Sequence, residues 1–530
     1  MPGDDLPQTI PGVVTRAAEQ FGSLEALVDE RDRLTFAQLA EGATTAARAL
    51  IASGIEAGER VAIWAPNTTE WVLAALGVYA AGAVIVPLNT RFKGAEAAYI
   101  LGRARAKLLF TVTDFLDTNY VELLRAAEPV ASLGEIVVLR GSSIAGALDW
   151  ADFLARADSV PESAVTARSA ALTADTLSDI LFTSGTTGRP KGAMLTHGAS
   201  VQAYDAWSTV VGLRPGDRYL VVNPFFHSFG LKAGILASLI KGATIIPHAV
   251  FNVDAVMQRV AEENVSMLPG PPTVYQSILD HPHVADFDLS SLRLAVTGAA
   301  PVSVELIRRM REELKFETVV TGYGLTEATG IATMCRHDDE PETISKTAGR
   351  AIPGTEVHVV DDDGNALPAG EPGEVVVRGY NVMVGFVDDP EGTAEAIDRD
   401  GWLHTGDVGV LDERGNLRIT DRKKDMFIVG GFNAYPAEIE NMVSDHPAVS
   451  QVAIVGVPDE RMGEVGYAFI VTRPGQTIDA DELTAWCRER MANFKVPRHV
   501  QVIDALPLNA SGKVLKYELR EQAVATLGAS

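Results

Sequence analysis

The densest run of phosphate-binding residue types is Thr183-Ser184-Gly185-Thr186-Thr187-Gly188-Arg189-Pro190-Lys191-Gly192. Small hydroxylated residues and glycines let backbone N–H groups wrap a polyphosphate, and Lys191 adds a cation. The run is not a Walker A loop: no glycine immediately precedes Lys191, and Gly192 stands where that pattern needs Ser or Thr. Two further loops follow strand-like runs, where open α/β sheets bind ligands. One is Thr297-Gly298-Ala299-Ala300-Pro301, whose small side chains let a planar ring lie against the backbone. Taken alone it reads equally as a plain strand-to-helix turn. The other is Thr321-Gly322-Tyr323-Gly324-Leu325-Thr326-Glu327-Ala328. Tyr323 can stack on a base, and Thr326 and Glu327 offer oxygens suited to Mg²⁺ on phosphate. In Gly401-Trp402-Leu403-His404-Thr405-Gly406-Asp407 a carboxylate sits on a Gly-bounded turn and can accept from two ribose hydroxyls. Arg422, further along the chain, is a second ribose contact or a solvated linker residue. Lys513, after Ser511-Gly512, would on its own be surface charge.

These loops need rigid elements beneath them. Short β-branched runs (Val61–Trp64, Val84–Pro87, Lys107–Thr111, Glu135–Leu139, Tyr219–Asn223, Ala243–Pro247, Leu292–Thr297) alternate with amphipathic stretches such as Phe36–Ser53 and Val304–Leu314. That alternation predicts α/β layers with largely parallel sheets. Past residue 350 the texture turns to short strands and turns, so 350–421 reads as a small β-rich region. Beyond the charged Asp421-Arg422-Lys423-Lys424-Asp425 comes an α+β pattern. It has helices at Pro436–Ser444 and Asp479–Ala492 and strands at Gln451–Val457, Gly466–Thr472 and His499–Ile503. The domains are therefore 1–421 and a lid of 422–530.

With 530 residues, 47% apolar and 22% charged, the chain is long enough for more than one folded unit. A net charge of −25 without a basic block argues against nucleic acid. Cys335 and Cys487 cannot build a disulfide framework and lack metal-site spacing, which suits a reducing cytoplasm. The stretch from Trp71 to Thr90 carries no formal charge, but Gly77, Gly82 and Pro87 punctuate it. It reads as a buried helix Glu70–Ala80 and a core strand Ala83–Pro87, not as a membrane span. The N-terminus lacks the basic and apolar regions of a signal peptide.

In their order along essentially the whole chain, the motifs resemble the adenylate-forming superfamily of acyl-CoA synthetases, adenylation domains and beetle luciferases. The resemblance implies a large N-terminal domain of two sheets plus a small β-barrel-like region, capped by a mobile α+β C-terminal domain. It also implies ATP, Mg²⁺ and coenzyme A, and a reaction in two steps. A carboxylate first attacks the α-phosphate of ATP, and a CoA thiolate then displaces AMP. Thr183 to Lys191 would hold the β- and γ-phosphates, and Glu327 with Thr186 or Thr326 would position Mg²⁺. Gly298-Ala299-Ala300 and Tyr323 would sandwich adenine, Gly322 and Gly324 beside Tyr323 would border both the nucleotide and the floor of the acyl pocket, and Asp407 and Arg422 would hold ribose. Lys513 would bridge the carboxylate and α-phosphate oxygens. Lys424 would be the hinge that brings Gly430-Gly431 to the thiol channel. Many relatives carry Lys at the positions of Ile428 and Gly430, so phosphate contacts there are not carried over.

Pro224-Phe225-Phe226-His227-Ser228-Phe229-Gly230 matches the superfamily segment that lines the acyl pocket. The resemblance makes His227 its gate, although a lone histidine among aromatics is more often packed in a core. The stretches Asn223 to Leu236, Leu268 to Pro282 and Asp286 to Arg293 resemble an actinobacterial branch of steroid catabolism. That branch thioesterifies the bicyclic propanoate left from rings C and D. It implies a wide, short pocket, with a short- or medium-chain fatty acid as the other substrate class and carrier-protein loading as a rival reaction. The expected partners are small molecules; the sequence does not fix the oligomeric state and leaves a homodimer open.

Overall fold

The computed structural model describes residues 6–183, 190–298, 302–422, 425–429, 432–459, 462–491, 493–508 and 514–528. Its largest sheet has eight strands in the order Gly385–Phe386, Lys191–Thr196, Leu177–Thr183, Val84–Pro87, Arg60–Trp64, Leu108–Val112, Glu135–Arg140, Leu148–Asp149. From Leu177–Thr183 to Leu148–Asp149 every pairing is parallel. The expected parallel core is therefore present. These strands read as apolar runs because helices cover both faces. Helix Phe36–Ala52 starts at a capping box in which Thr35 and Gln38 satisfy each other's N–H groups. It packs closely on helix Thr69–Ala80: a Cβ on Gly77 would lie 2.6 Å from the Ala46 Cβ. The uncharged stretch 71–90 divides into that helix and strand Val84–Pro87, with Gly82 at φ +74° turning the chain between them. Among the described residues no helix is long and apolar enough to cross a membrane.

A second sheet runs Arg33–Thr35, Glu25–Val28, Thr244–Pro247, Arg218–Val221. Met267 pairs in parallel with both Tyr219 and Leu294. It thereby links this sheet to Leu294–Thr297, Thr318–Tyr323, Thr333–Met334 and Arg350–Ala351. The expected β-rich region is a four-stranded antiparallel sheet of Thr355–Val360, Gly373–Gly379, Leu403–Leu411 and Leu417–Arg422. Its last strand extends into the charged segment read as a linker, because Asp421 and Arg422 pair with Val408 and Asp407.

The C-terminal region is a five-stranded sheet with helices Pro436–Ser444, Ala480–Arg488 and Lys516–Gly528. The second helix ends earlier than the pattern 479–492 suggested, at a turn in which Arg490 N–H donates to the Cys487 carbonyl. Glu440 ties the region together, pairing with Lys516 at 2.7 Å and accepting from Ile454 N–H at 2.8 Å. An apolar cluster of its own, from Phe427 to Ala523, fills this region.

Candidate active site

Strands Leu177–Thr183 and Lys191–Thr196 form a hairpin in which Thr183 lies directly opposite Lys191. The glycine- and threonine-rich run therefore falls between two paired strands beside the parallel part of the sheet. Ser184, Gly185, Thr186, Thr187, Gly188 and Arg189 lie outside the described residues. Thr183 Oγ1 donates to Glu327 Oε1 at 3.3 Å. Lys191 Nζ pairs with Asp389 Oδ2 at 3.0 Å and sits 5.1 Å from the centre of the Phe386 ring. Asp389 was invisible as a site residue in the sequence. It also caps helix Pro390–Ala396, accepting from Gly392 N–H, and that bond followed by Lys191 holds its carboxyl below the usual range.

Strands Leu294–Thr297 and Thr318–Tyr323 are parallel neighbours, with Thr297 opposite Thr321. Gly298 and Gly322 thus leave the carboxyl ends of adjacent strands side by side, as a nucleotide cradle requires. Ala299 and Ala300 lie outside the described residues. Tight packing dictates Gly324, where a Cβ would fall 2.3 Å from the Gly330 carbonyl oxygen. Thr326–Ala328 forms a single 3₁₀ turn, and Glu327's own carbonyl accepts from Met383 N–H at 2.8 Å. Its carboxylate beside the Thr183 hydroxyl is the hard oxygen pair that suits Mg²⁺ on a phosphate.

The Tyr323 hydroxyl donates to Asp407 Oδ2 at 2.5 Å. Asp407 is buried and stands opposite Arg422 in the antiparallel ladder. Two residues well apart in sequence thus become one cross-strand pair. The Arg422 side chain is outside the described residues, as are Lys424, Gly430 and Gly431. Lys513 is too, but the chain on either side of 509–513 is pinned by pairing of Leu508 with Val514.

His227 is exposed, so the packed-core alternative does not hold for it. Its Nδ1 accepts from Phe229 N–H at 3.2 Å, which places the proton of the neutral ring on Nε2. The next residues, Phe229–Leu236, form a π-helix, a rare element that recurs at functional sites. Inside it lies Lys232, which no sequence motif singles out. Its Nζ is buried and pairs with the buried Asp179 Oδ2 at 3.0 Å, and it donates to Ser200 Oγ at 2.6 Å. Tyr79 donates to Asp179 Oδ1 at 2.5 Å, and Ser178 donates to Oδ2. Burial pushes the Lys232 ammonium below its usual range, although Asp179 opposes that shift. The signal in the sequence was one lysine within an apolar run and one aspartate within an apolar strand.

The Thr183–Glu327 and Tyr323–Asp407 hydrogen bonds join strands Leu177–Thr183, Thr318–Tyr323 and Leu403–Leu411 and the Glu327 turn. Residues 14–387 match the family described as AMP-binding enzyme, and residues 438–513 match the AMP-binding enzyme C-terminal domain. The chain is 50% identical over 522 residues to the 3-[(3aS,4S,7aS)-7a-methyl-1,5-dioxo-octahydro-1H-inden-4-yl]propanoyl:CoA ligase of Rhodococcus jostii (strain RHA1), covering 98% of this chain and 99% of that protein. It is 49% identical to the like-named ligase of Mycobacterium tuberculosis (strain ATCC 25618 / H37Rv), covering 97% and 99%. Among solved structures, the anthranilate CoA ligase AuaEII in complex with anthranoyl-AMP superposes with a TM-score of 0.87 at 28% identity, covering 100% of both chains. The chain belongs to the AMP-binding enzyme family, whose model spans most of its length.

Proposed function

We propose that this chain is an ATP-dependent, AMP-forming carboxylate–CoA ligase whose acid is the methyl-dioxo-octahydroindenyl propanoate of steroid-ring degradation. The observation that carries the substrate is 50% identity over 98% of the chain to a ligase named for that acid. The relative's name supports the acid, and the site geometry supports the chemistry.

In this reading the loop from Thr183 to Lys191, with Ser184, Gly185, Thr186, Thr187 and Gly188 between, holds the β- and γ-phosphates. Lys191 exchanges Asp389 for a phosphate oxygen when the nucleotide enters. Glu327, with Thr186 or Thr326, would hold Mg²⁺, which supplies charge neutralisation on the phosphates when bound. The Thr183–Glu327 contact supports that assignment. Adenine lies between Gly298-Ala299-Ala300 and Tyr323, flanked by Gly322 and Gly324. Asp407 accepts from the ribose hydroxyls while Tyr323 orients its carboxylate, and Arg422 adds a contact from the facing strand. Carboxylate attack on the α-phosphate forms the acyl–phosphate bond and expels pyrophosphate. Lys513 neutralises the oxygens where charge builds, a role typically worth roughly 3–4 kcal/mol. The lid from residue 422 onward then turns about Lys424, bringing Gly430 and Gly431 to the thiol path beside His227. CoA thiolate attack on the acyl carbon releases AMP. The enzyme is assigned to the cytoplasm, where ATP and CoA are available, and sedimentation would decide between a monomer and a homodimer.

The test is AMP release with ATP, Mg²⁺ and CoA, comparing the bicyclic propanoate with straight-chain acids. A strong preference for the bicycle is expected; a preference for medium-chain acids overturns the substrate and leaves the ligase. In Lys513→Ala, acid-dependent pyrophosphate release should fall at least a hundredfold, while CoA still consumes supplied acyl-AMP. Equal loss of both steps would refute the lid rotation.

A further inference from the structure

Two neighbouring strands of the second sheet, and a third joined to them through Met267, end in polar residues. Asn223 follows Arg218–Val221, His248 follows Thr244–Pro247, and Thr297 closes Leu294–Thr297. All three strands run parallel, so these residues share the carboxyl edge, where open α/β sheets receive ligands. Asn223 Oδ1, His248 Nε2 and Thr297 Oγ1 are buried atoms without a hydrogen-bond partner among the described residues. Ser228 Oγ, next to His227 in the acyl segment, is a fourth. Native proteins leave few buried polar atoms unpaired, and a group of them along one edge calls for an occupant.

Ser228 is the most telling of the four. It is 2% exposed and makes no capping bond to the π-helix that it precedes. Its neighbour across the site is Gly330, just past the Glu327 turn, with φ +91° and its N–H held by the Leu325 carbonyl at 2.9 Å. A Cβ on Gly330 would lie 2.6 Å from the Tyr204 hydroxyl oxygen and 3.3 Å from Ser228 Oγ. Two hydroxyls on different elements therefore converge on Gly330, which packs too closely against Tyr204 and Ser228 for any side chain to fit between them. Burial holds the Tyr204 phenol protonated, so it remains a donor.

We propose that Ser228, assisted by Tyr204, is a specificity-determining hydrogen-bond donor of the acyl site that takes a carbonyl oxygen on the ring portion of the acid. The inference rests on the acyl-CoA ligase reading above and deepens it. An acid with a ring ketone satisfies the Ser228 hydroxyl. The same acid with a methylene there leaves it buried and unpaired, and a site built this way rejects such an analogue strongly.

The experiment is kcat/KM for acid-dependent pyrophosphate release with matched oxo and methylene acids. One pair is the bicyclic propanoate and its deoxygenated counterpart, and the other is an oxocyclohexyl propanoate and cyclohexyl propanoate. Wild type should favour the oxo member at least tenfold. Ser228→Ala should lower the oxo acid's kcat/KM about tenfold and leave the methylene acid's within twofold. Tyr204→Phe should act in the same direction and less. Equal losses for both members, or a wild type blind to the ketone, would overturn the inference and leave these hydroxyls to water or packing. A wild type active on straight-chain acids but on neither ring pair would overturn the substrate reading instead. The inference is then decided by oxo and plain straight-chain acids of one length.

Discussion

Two lysine–aspartate pairs flank the phosphate hairpin, one at its root and one at its rim. In both, Nζ lies 3.0 Å from Oδ2. The geometry is the same and the surroundings are opposite. At the root, Lys232 and Asp179 have side-chain exposures of 1% and 0%, and Tyr79, Ser178 and Ser200 complete the shell. At the rim, Lys191 and Asp389 are 27% and 25% exposed. Distance alone therefore says little about what an ion pair does. A buried pair that loses one member strands a charge, while a solvated pair loses little. The root pair fixes the strand that carries the loop, and the rim pair can exchange partners without disturbing it.

The largest expected effect tests the root. Lys232→Met should lower unfolding free energy by about 3–5 kcal/mol in a denaturant titration, since Asp179 is left buried and uncompensated. Adding Asp179→Asn should recover most of that loss. Unchanged stability in the single variant would erase the distinction between the pairs.

A smaller effect uses His197, which sits in the same sealed region with its Nδ1 accepting from Ile10 N–H at 3.3 Å. Burial, assisted by Lys232, pushes its pKa down to about 4 from 6.5. The unfolded chain then binds the proton first, so stability is complete above pH 6.5 and falls as pH drops toward 4. The expected loss is about 2 kcal/mol by pH 5. An imidazole resonance that titrates above pH 6 would contradict it.

The smallest effect belongs to the rim. Asp389→Asn keeps a helix-capping side chain and should change stability by less than about 1 kcal/mol. Its signature is functional: with its competing carboxylate gone, Lys191 should bind the nucleotide more tightly and the KM for ATP should fall. A raised KM would mean that Asp389 positions Lys191 instead of competing for it.

The legibility of these regions differs for physical reasons. The parallel core showed through because strands covered on both faces are written as continuous β-branched runs. The glycines of the Tyr323 loop stand out in the sequence because close backbone approach restricts residue type, as at Gly324. What stayed hidden depends on register. Nothing in the sequence between Asp407 and Arg422 says that the two face each other across a ladder. Asp389 lies far along the chain from Lys191, in a Pro- and Asp-rich turn like many others. Lys232 was hidden because its neighbours are apolar, and its partner is supplied by a different layer of the fold. The π-helix that follows His227 was hidden because no periodicity in so short a run could announce it.

That π-helix also bears on how this segment changes by insertion and deletion. Its final bond runs from Ala237 N–H to the Lys232 carbonyl, five residues back instead of four. The segment thus holds one residue more than an α-helix would place between its ends. Deleting any one residue from 229–236 would let it relax to the commoner helix. Everything on its N-terminal side, His227 and Ser228 included, would then turn by about 100° about the helix axis. A one-residue gap here is therefore a rotation of the residues that precede the segment, not merely a shorter helix.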